Sequence, residues 1–183
     1  VLTSSKSDAT FACSHGFPWE EDTRVPLILY GSGIRKGTTS ENAASLEDIT
    51  PTLAHLLDRQ PPADANGRIL TEALLHKDSQ GRFLHRKAHR PRAAVVLTLD
   101  QCRADYLTNP QIAPALRFTR HRLMDWGANY PNARLSYAGS RTAVSHATVG
   151  TGATPGVHGI IGNNIRLEND FPLAFNGTPR HSM

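Results

Sequence analysis

Hydrophobic residues divide the chain into short blocks, with no repeat running through it. Residues 25–30 form a nearly continuous apolar run that ends in a Gly-Ser-Gly turn, and residues 93–99 form a longer one. Apolar runs of this length between turn residues are typical of strands that are covered on both faces. The pattern therefore predicts two buried strands, and its stronger signal is at 93–99.

Helical signals alternate with these runs. Four stretches carry them, beginning near Asp48, Gly67, Ile112 and Thr142. The first has a carboxylate and a proline in its first turn, followed by leucines on one face, and the third is amphipathic up to Gly127. Since strands alternate with helices, we expect an α/β fold with a mostly parallel sheet.

Composition places the chain among globular proteins: it has 183 residues and a formal net charge of +4. Much of the basic excess lies in 81–92, which is typical of a solvated linker, so nucleic acid is not an expected partner. We divide the chain into segments 1–80, 81–92 and 93–183, the first and last forming one domain together. Two cysteines cannot build a disulfide framework, and the sequence shows neither a membrane span nor a signal peptide.

The second half contains four motifs in a characteristic order. They are LDQCRADYL at 99–107, RTAVSHAT at 141–148, HG at 158–159 and GNN at 162–164. Together they resemble the opening part of the alkaline phosphatase superfamily, especially its threonine-nucleophile phosphatases and phosphodiesterases.

The first half carries HGFPW at 15–19, followed by Asp22 and Val25-Pro26, which resembles the closing part of the same enzymes. The central segments of the family, of the types Ser-x-x-Asp-x-x-Gly-His and Asp-His-Gly, do not occur in the sequence. The resemblance thus implies a partial α/β sandwich, permuted or truncated, in which the closing part precedes the opening part.

Each candidate site residue has a structural and a functional interpretation. Asp100 and Thr142 could simply cap helices or turns, and Asn163 could belong to a turn. Yet a hydroxyl at a helix amino terminus lies where an oxyanion is stabilised, and a carboxylate is a suitable ligand for a hard cation. The resemblance implies that Thr142 is the phosphorylated nucleophile and a metal ligand with Asp100, that His15 binds a second metal, and that Asn163 contacts substrate. His146, one helical turn after Thr142, is expected to be structural.

These assignments predict a metal-dependent phosphoester hydrolase that acts through a phosphothreonine and uses two divalent ions, expected to be Zn²⁺. The resemblance further implies phosphate monoesters as substrates, because Gln101 follows Asp100 as in the monoesterase branch of the family. The alternatives are a phosphodiesterase or nucleotide pyrophosphatase, and a rearranged remnant without catalysis. Partners would be a small phosphoester and, because matched metal ligands are few, a complementing chain or further copies of this one. Members of the family are often periplasmic or secreted.

A shared site has a geometric consequence. His15 and Asp100 should lie within roughly 10 Å of each other, on either side of Thr142, because paired metal ions are about 4 Å apart. The strands at 25–30 and 93–99 should then belong to one sheet.

Overall fold

A computed structural model describes residues 16–75 and 91–164, so His15 and most of the expected linker lie outside the described residues. Elements are numbered in chain order: α1 (Glu20–Thr23), β1 (Leu27–Leu29), β2 (Thr38–Thr39), α2 (Ile49–Leu57), β3 (Ala128–Tyr130), α3 (Thr142–Thr151) and α4 (Pro155–His158). Shorter 3-10 turns occupy Leu46–Asp48, Thr71–Ala73, Ala104–Leu107 and Ala113–Leu116, and a π-helix occupies Thr119–Met124. The division into 1–80, 81–92 and 93–183 stays a prediction.

A three-stranded sheet in the order β1-β3-β2 joins the two halves of the chain. The middle strand, β3, comes from the second half, whereas both of its neighbours come from the first. It runs antiparallel to β1, with Leu27 opposite Tyr130, and parallel to β2, with Thr38 opposite Ala128. The α/β class is therefore confirmed, but the expected mostly parallel sheet is not, because one of these two pairings is antiparallel.

Helix α2 lies where its sequence signals placed it. The preceding turn holds Asp48 in a buried position, and its carboxylate accepts hydrogen bonds from the backbone N–H groups of Ser45, at 2.9 Å, and Arg68, at 2.8 Å.

Thr52, which is fully buried, accepts a bond from the Leu70 N–H at 3.0 Å. These contacts fasten the 68–70 segment to the start of the helix, and the helix ends at Asp58 in a left-handed conformation.

Helix α3 begins at Thr142, as its sequence predicted, and ends at Gly152 with φ of 70°. It packs against α2, where the Thr50 hydroxyl donates to the carbonyl oxygen of Val149. A Cβ added at Gly152 would lie 2.8 Å from Cδ of Pro51. The left-handed turn and this close approach both favour glycine, so the end of α3 is fixed against α2.

The predicted strand at 93–99 is wrong. These residues form no strand and are exposed, with 93% of Val95 and 75% of Leu97 accessible. An apolar run becomes a buried strand only when neighbouring strands supply backbone partners, and none of the described residues pairs with it. The expected sheet shared by 25–30 and 93–99 is therefore also wrong, and β3 takes the place beside β1.

Two helix predictions are corrected as well. The amphipathic stretch from Ile112 to Gly127 is divided into a 3-10 turn and a π-helix, and Pro114 lies at the start of that turn. A proline in the first turn is compatible with an α-helix, since its missing N–H would have no partner within the helix there. Nothing in the structure explains the division. The weaker signal at 67–75 corresponds only to the turn Thr71–Ala73.

Gly127, directly before β3, provides a test of this sheet. A Cβ there would lie 2.3 Å from the carbonyl oxygen of Leu29 and 2.4 Å from that of Leu123. Both obstacles are backbone atoms, so we expect Gly127→Ala to lower the free energy of unfolding by about 2 kcal/mol or more. Chemical denaturation of the purified variant measures this.

Gly150→Ala is the matched control, because no atom lies within 4 Å of a Cβ at this helical position. Alanine is the better helix former, so this change should leave stability unaltered or raise it by up to about 1 kcal/mol. Equal behaviour of the two variants would contradict the close approach of β1 to Gly127.

Candidate active site

Thr142 is the first residue of α3 and is half-buried. The chain enters the helix through Arg141 in an extended conformation. The N–H groups of the first turn have no partner within the helix and point out of its amino end. The Thr142 hydroxyl donates to Oδ2 of Asp100 at 3.3 Å. A nucleophilic side chain and a carboxylate thus meet at the positive end of a helix dipole.

Asp100 reaches this position because the backbone turns sharply after the exposed 93–99 segment. Its Oδ1 accepts a hydrogen bond from the N–H of Gln101 at 3.1 Å, and Gln101 has φ of 57°. Left-handed backbone is uncommon for a residue other than glycine, and such residues cluster at functional sites. The turn directs one carboxylate oxygen back to the backbone and the other towards Thr142.

Asn163 reaches the same helix turn from 20 residues downstream. Its Oδ1 accepts a hydrogen bond from the N–H of Ala143 at 3.0 Å, whereas Arg141, at the usual capping position, makes no side-chain cap. Asn163 therefore caps α3, and its amide nitrogen is the atom that could donate to a bound oxyanion. The expected substrate contact stays a prediction.

The first half of the chain reaches the site through Gly16, a contact that the sequence did not indicate. The Gly16 N–H donates to Oγ of Ser140 at 3.1 Å, and a Cβ on Gly16 would lie 3.5 Å from Cγ of Arg141. Ser140 directly precedes the RTAVSHAT motif, which is the one signal that could have drawn attention to it. His15 is next to Gly16 in sequence but lies outside the described residues, so its predicted metal role and its distance to Asp100 stay predictions.

Two histidines that contact α3 are held by the protein itself. His146 Nδ1 lies 2.8 Å from the carbonyl oxygen of Thr142, one turn back along α3. His158 uses both ring nitrogens: Nδ1 accepts from the N–H of Ile160 at 3.0 Å, and Nε2 lies 3.1 Å from Oγ1 of Thr148. These contacts support the expected structural role of His146 and give His158 a similar one.

The described residues do not fit a complete metal site. Asp100 and Thr142 present two oxygen atoms close together, but a catalytic zinc site needs about three protein ligands. No group of three or more His, Cys, Asp or Glu side chains that could hold a metal occurs within 16–75 and 91–164. A two-metal centre would need further ligands besides those described.

A known family accounts for this combination of residues. Residues 94–179 match the family model described as type I phosphodiesterase / nucleotide pyrophosphatase. This part of the chain belongs to the alkaline phosphatase superfamily. The match begins in the exposed apolar segment and includes Asp100, Thr142 and Asn163, whereas its last residues, 165–179, lie outside the described part.

Individual members of the superfamily match over short regions. Alkaline phosphatase PafA of Elizabethkingia meningoseptica is 31% identical over 81 residues, which cover 41% of this chain and 14% of that protein. Alkaline phosphatase PhoV of Synechococcus elongatus is 33% identical over 81 residues, with the same two shares. A putative extracellular sulfatase Sulf-1 homolog of Caenorhabditis elegans is 34% identical over 67 residues, 37% of this chain and 9% of that protein.

The chain therefore spans only 9–14% of the length of these relatives. No solved structure matches it significantly. Among the described helices, none has the length and apolar character needed to cross a membrane.

The partly buried contact of His158 with Thr148 has a measurable pH dependence. Burial lowers the pKa of His158 from its ordinary value of 6.5, so the folded state binds fewer protons than the unfolded state as pH falls through that value. Its contribution to stability is present above pH 6.5 and is lost as pH falls below it. We expect the free energy of unfolding to fall between about pH 7.5 and about pH 5.5 by less in His158→Asn than in the natural sequence.

Asparagine is the matched replacement, since its side-chain oxygen can still accept the hydrogen bond from Ile160 but does not titrate. Denaturation curves at the two pH values measure the difference. An identical fall in both proteins would show that His158 is equally easy to protonate in the folded and unfolded states.

Proposed function

We propose that this chain carries the nucleophile segment of a phosphoester hydrolase, and that the Thr142 hydroxyl accepts the phosphoryl group. The observation that supports this is the hydrogen bond of Thr142 to Asp100 at the first turn of α3, 3.3 Å long. Asp100 is 42 residues away in the sequence, so tertiary structure brings the two groups together. A helix cap alone would not require this partner, because Asn163 already caps the turn.

Each group at the site has a role in this proposal. Thr142 Oγ1 attacks phosphorus as the bond from phosphorus to the leaving oxygen breaks, and the hydroxyl proton ends on that oxygen, so an alcohol departs. Water then hydrolyses the phosphothreonine to free threonine and phosphate. Asp100 orients the hydroxyl, and the amino end of α3 faces the negative charge of the transferred group. The amide nitrogen of Asn163 is available to donate to a phosphate oxygen.

Turnover requires more ligands than the described residues supply. Divalent ions, with Zn²⁺ expected from the family, would supply Lewis acidity when bound. Asp100 and Thr142 would contribute oxygen donors to one such ion, and His15 is the predicted ligand of another. We propose that a complementing chain, or further copies of this one, completes the set.

The substrate we propose is a phosphate monoester, because Gln101 follows Asp100 as in the monoesterase branch of the family. The alternative is a diester or a nucleotide pyrophosphate, which the description of the matching family favours. Parallel assays with p-nitrophenyl phosphate and bis-p-nitrophenyl phosphate distinguish the two substrate classes.

A second candidate, a remnant that folds without catalysis, is favoured by the contacts of three polar side chains. His158 binds protein partners through both nitrogens, His146 binds its own helix, and the oxygen of Asn163 is used as a cap. In such a remnant these groups would serve stability alone. Absence of turnover in any assembled form would be expected of it.

The nucleophile is tested with a pair of replacements at one position. We expect the isolated chain to hydrolyse p-nitrophenyl phosphate no faster than Thr142→Val, even with Zn²⁺ added. After addition of a separately expressed central segment from a complete relative, turnover should appear, and Thr142→Val should lower it at least about 100-fold. Thr142→Ser keeps the hydroxyl and should retain turnover and a phosphorylated residue 142, which peptide mass spectrometry detects.

Valine has the shape of threonine, so the Thr142→Val protein should unfold within about 1 kcal/mol of the natural one. Thr148→Ala is a poor control despite its position on the same helix, since Thr148 is fully buried and bonded to His158. Turnover that survives Thr142→Val unchanged would refute the assignment of the nucleophile.

A further inference from the structure

One end of the sheet carries an exposed cluster of two aromatic rings and two cations. The carboxyl end of β1 and the amino ends of β2 and β3 meet there, because β3 is antiparallel to β1 and parallel to β2. Residues that flank the strands at this end, with one from the π-helix before β3, form what we call the sheet-end cluster: Tyr30, Lys36, Arg122 and Trp126. Two of them come from each half of the chain, so the cluster depends on the sheet that joins the halves.

The cations of the sheet-end cluster lie over its rings. The Arg122 Cζ atom is 5.5 Å from the centroid of the Tyr30 ring and 5.4 Å from that of Trp126. Lys36 Nζ is 5.3 Å from the Trp126 centroid. Each such contact at an exposed site is worth about 0.5–1 kcal/mol, so the two rings together restrict the position of the Arg122 guanidinium. Tyr30 and Trp126 remain 44% and 49% exposed, which leaves ring surface accessible beside the charges.

Neither charge is neutralised by a carboxylate of the described residues. The ion pairs within 16–75 and 91–164 involve other cations, and the carboxylate of Asp125, next to Trp126 in the sequence, lies 3.4 Å from Nδ1 of His121. A ring attracts a cation but does not use up its N–H donors, which in a guanidinium form a planar fork. The cluster therefore presents two positive charges with hydrogen-bond donors next to exposed rings.

We propose that the sheet-end cluster binds single-stranded nucleic acid. Arg122 and Lys36 donate charge-assisted hydrogen bonds to phosphate oxygens, and unpaired bases stack on the exposed parts of Tyr30 and Trp126. The formal net charge of +4 attracts a polyanion to the chain as a whole. The four residues are far apart in the sequence, so composition alone could not indicate this partner.

Other polyanions fit the cluster less well. A duplex keeps its base faces stacked inside, so it would reach the cations and leave the rings uncovered. An acidic peptide carries charges without planar bases, and it would leave the rings uncovered too. Exposed rings beside cations without ion-pair partners are the combination with which proteins bind single strands.

Salt dependence tests the two cations. Binding of a fluorescently labelled oligothymidylate to the full chain is measured by anisotropy at several salt concentrations. Each phosphate contact contributes about −0.7 to the slope of log K against log salt. Arg122→Gln and Lys36→Gln should therefore each make the slope shallower by about 0.7 and weaken binding about 10-fold. Arg59→Gln, which removes the same charge from an exposed arginine after α2, is the matched control and should change neither quantity.

Base stacking is tested through the fluorescence of Trp126, in a background where Trp19 is replaced by phenylalanine. Oligothymidylate should quench this fluorescence. Polyphosphate and polyglutamate, which carry charges without bases, should displace the oligonucleotide at least about 10-fold less effectively than unlabelled oligothymidylate does. Tyr30→Leu removes a ring and should weaken oligothymidylate binding about 5-fold or more.

Three results would each overturn the proposal. They are the absence of saturable oligothymidylate binding, an equal loss of affinity in Arg59→Gln and Arg122→Gln, and displacement by polyphosphate as effective as that by oligothymidylate.

Discussion

The insertion of β3 between β1 and β2 is the interaction on which the rest of the structure depends. Its three residues are buried, and Tyr130 is completely so. Backbone hydrogen bonds between the two halves continue on either side, from Thr38 to Gly127 and from Val25 to Ala133, each 3.0 Å long. Because the strand comes from one half and its neighbours from the other, neither half could bury its own part of this sheet alone.

The candidate site follows from this pairing. Residues after β3 lead to Ser140, where Gly16 of the first half binds, and then into α3, which packs on α2 at Thr50 and Gly152. The start of α3 is thereby held between segments from both halves. Asp100 follows the exposed 93–99 segment and is itself exposed.

The sequence correctly predicted those helix starts that depend on interactions between residues close together in the chain. The start of α2 could be predicted from Asp48 and Pro51, and the start of α3 from the motif that contains Thr142, because capping and helical spacing act within a few residues. β3 could not be predicted: it has three residues with an asparagine in the middle, and its burial depends on partners about a hundred residues earlier in the chain. The error at 93–99 has the same origin, since hydrophobicity indicates a strand but cannot supply its partner.

In the candidate site, too, features that depend on local motifs could be predicted and features that depend on tertiary structure could not. Thr142 and Asp100 were recognisable as candidates from their motifs, and their proximity needed the fold. The cap from Asn163 to Ala143 depends on contacts across 20 residues, and the bond of Gly16 to Ser140 spans 124. Neither contact has a local sequence signal, because tertiary structure alone brings the partners together.

Amide hydrogen exchange of the full chain tests the central claim, that both halves form one sheet which supports the site. The account predicts that the amides of β1 and β3 that are hydrogen-bonded across their shared ladder are protected and exchange with the same free energy of opening. Protection in one strand with free exchange in the other would contradict it, because the halves would then open independently of each other.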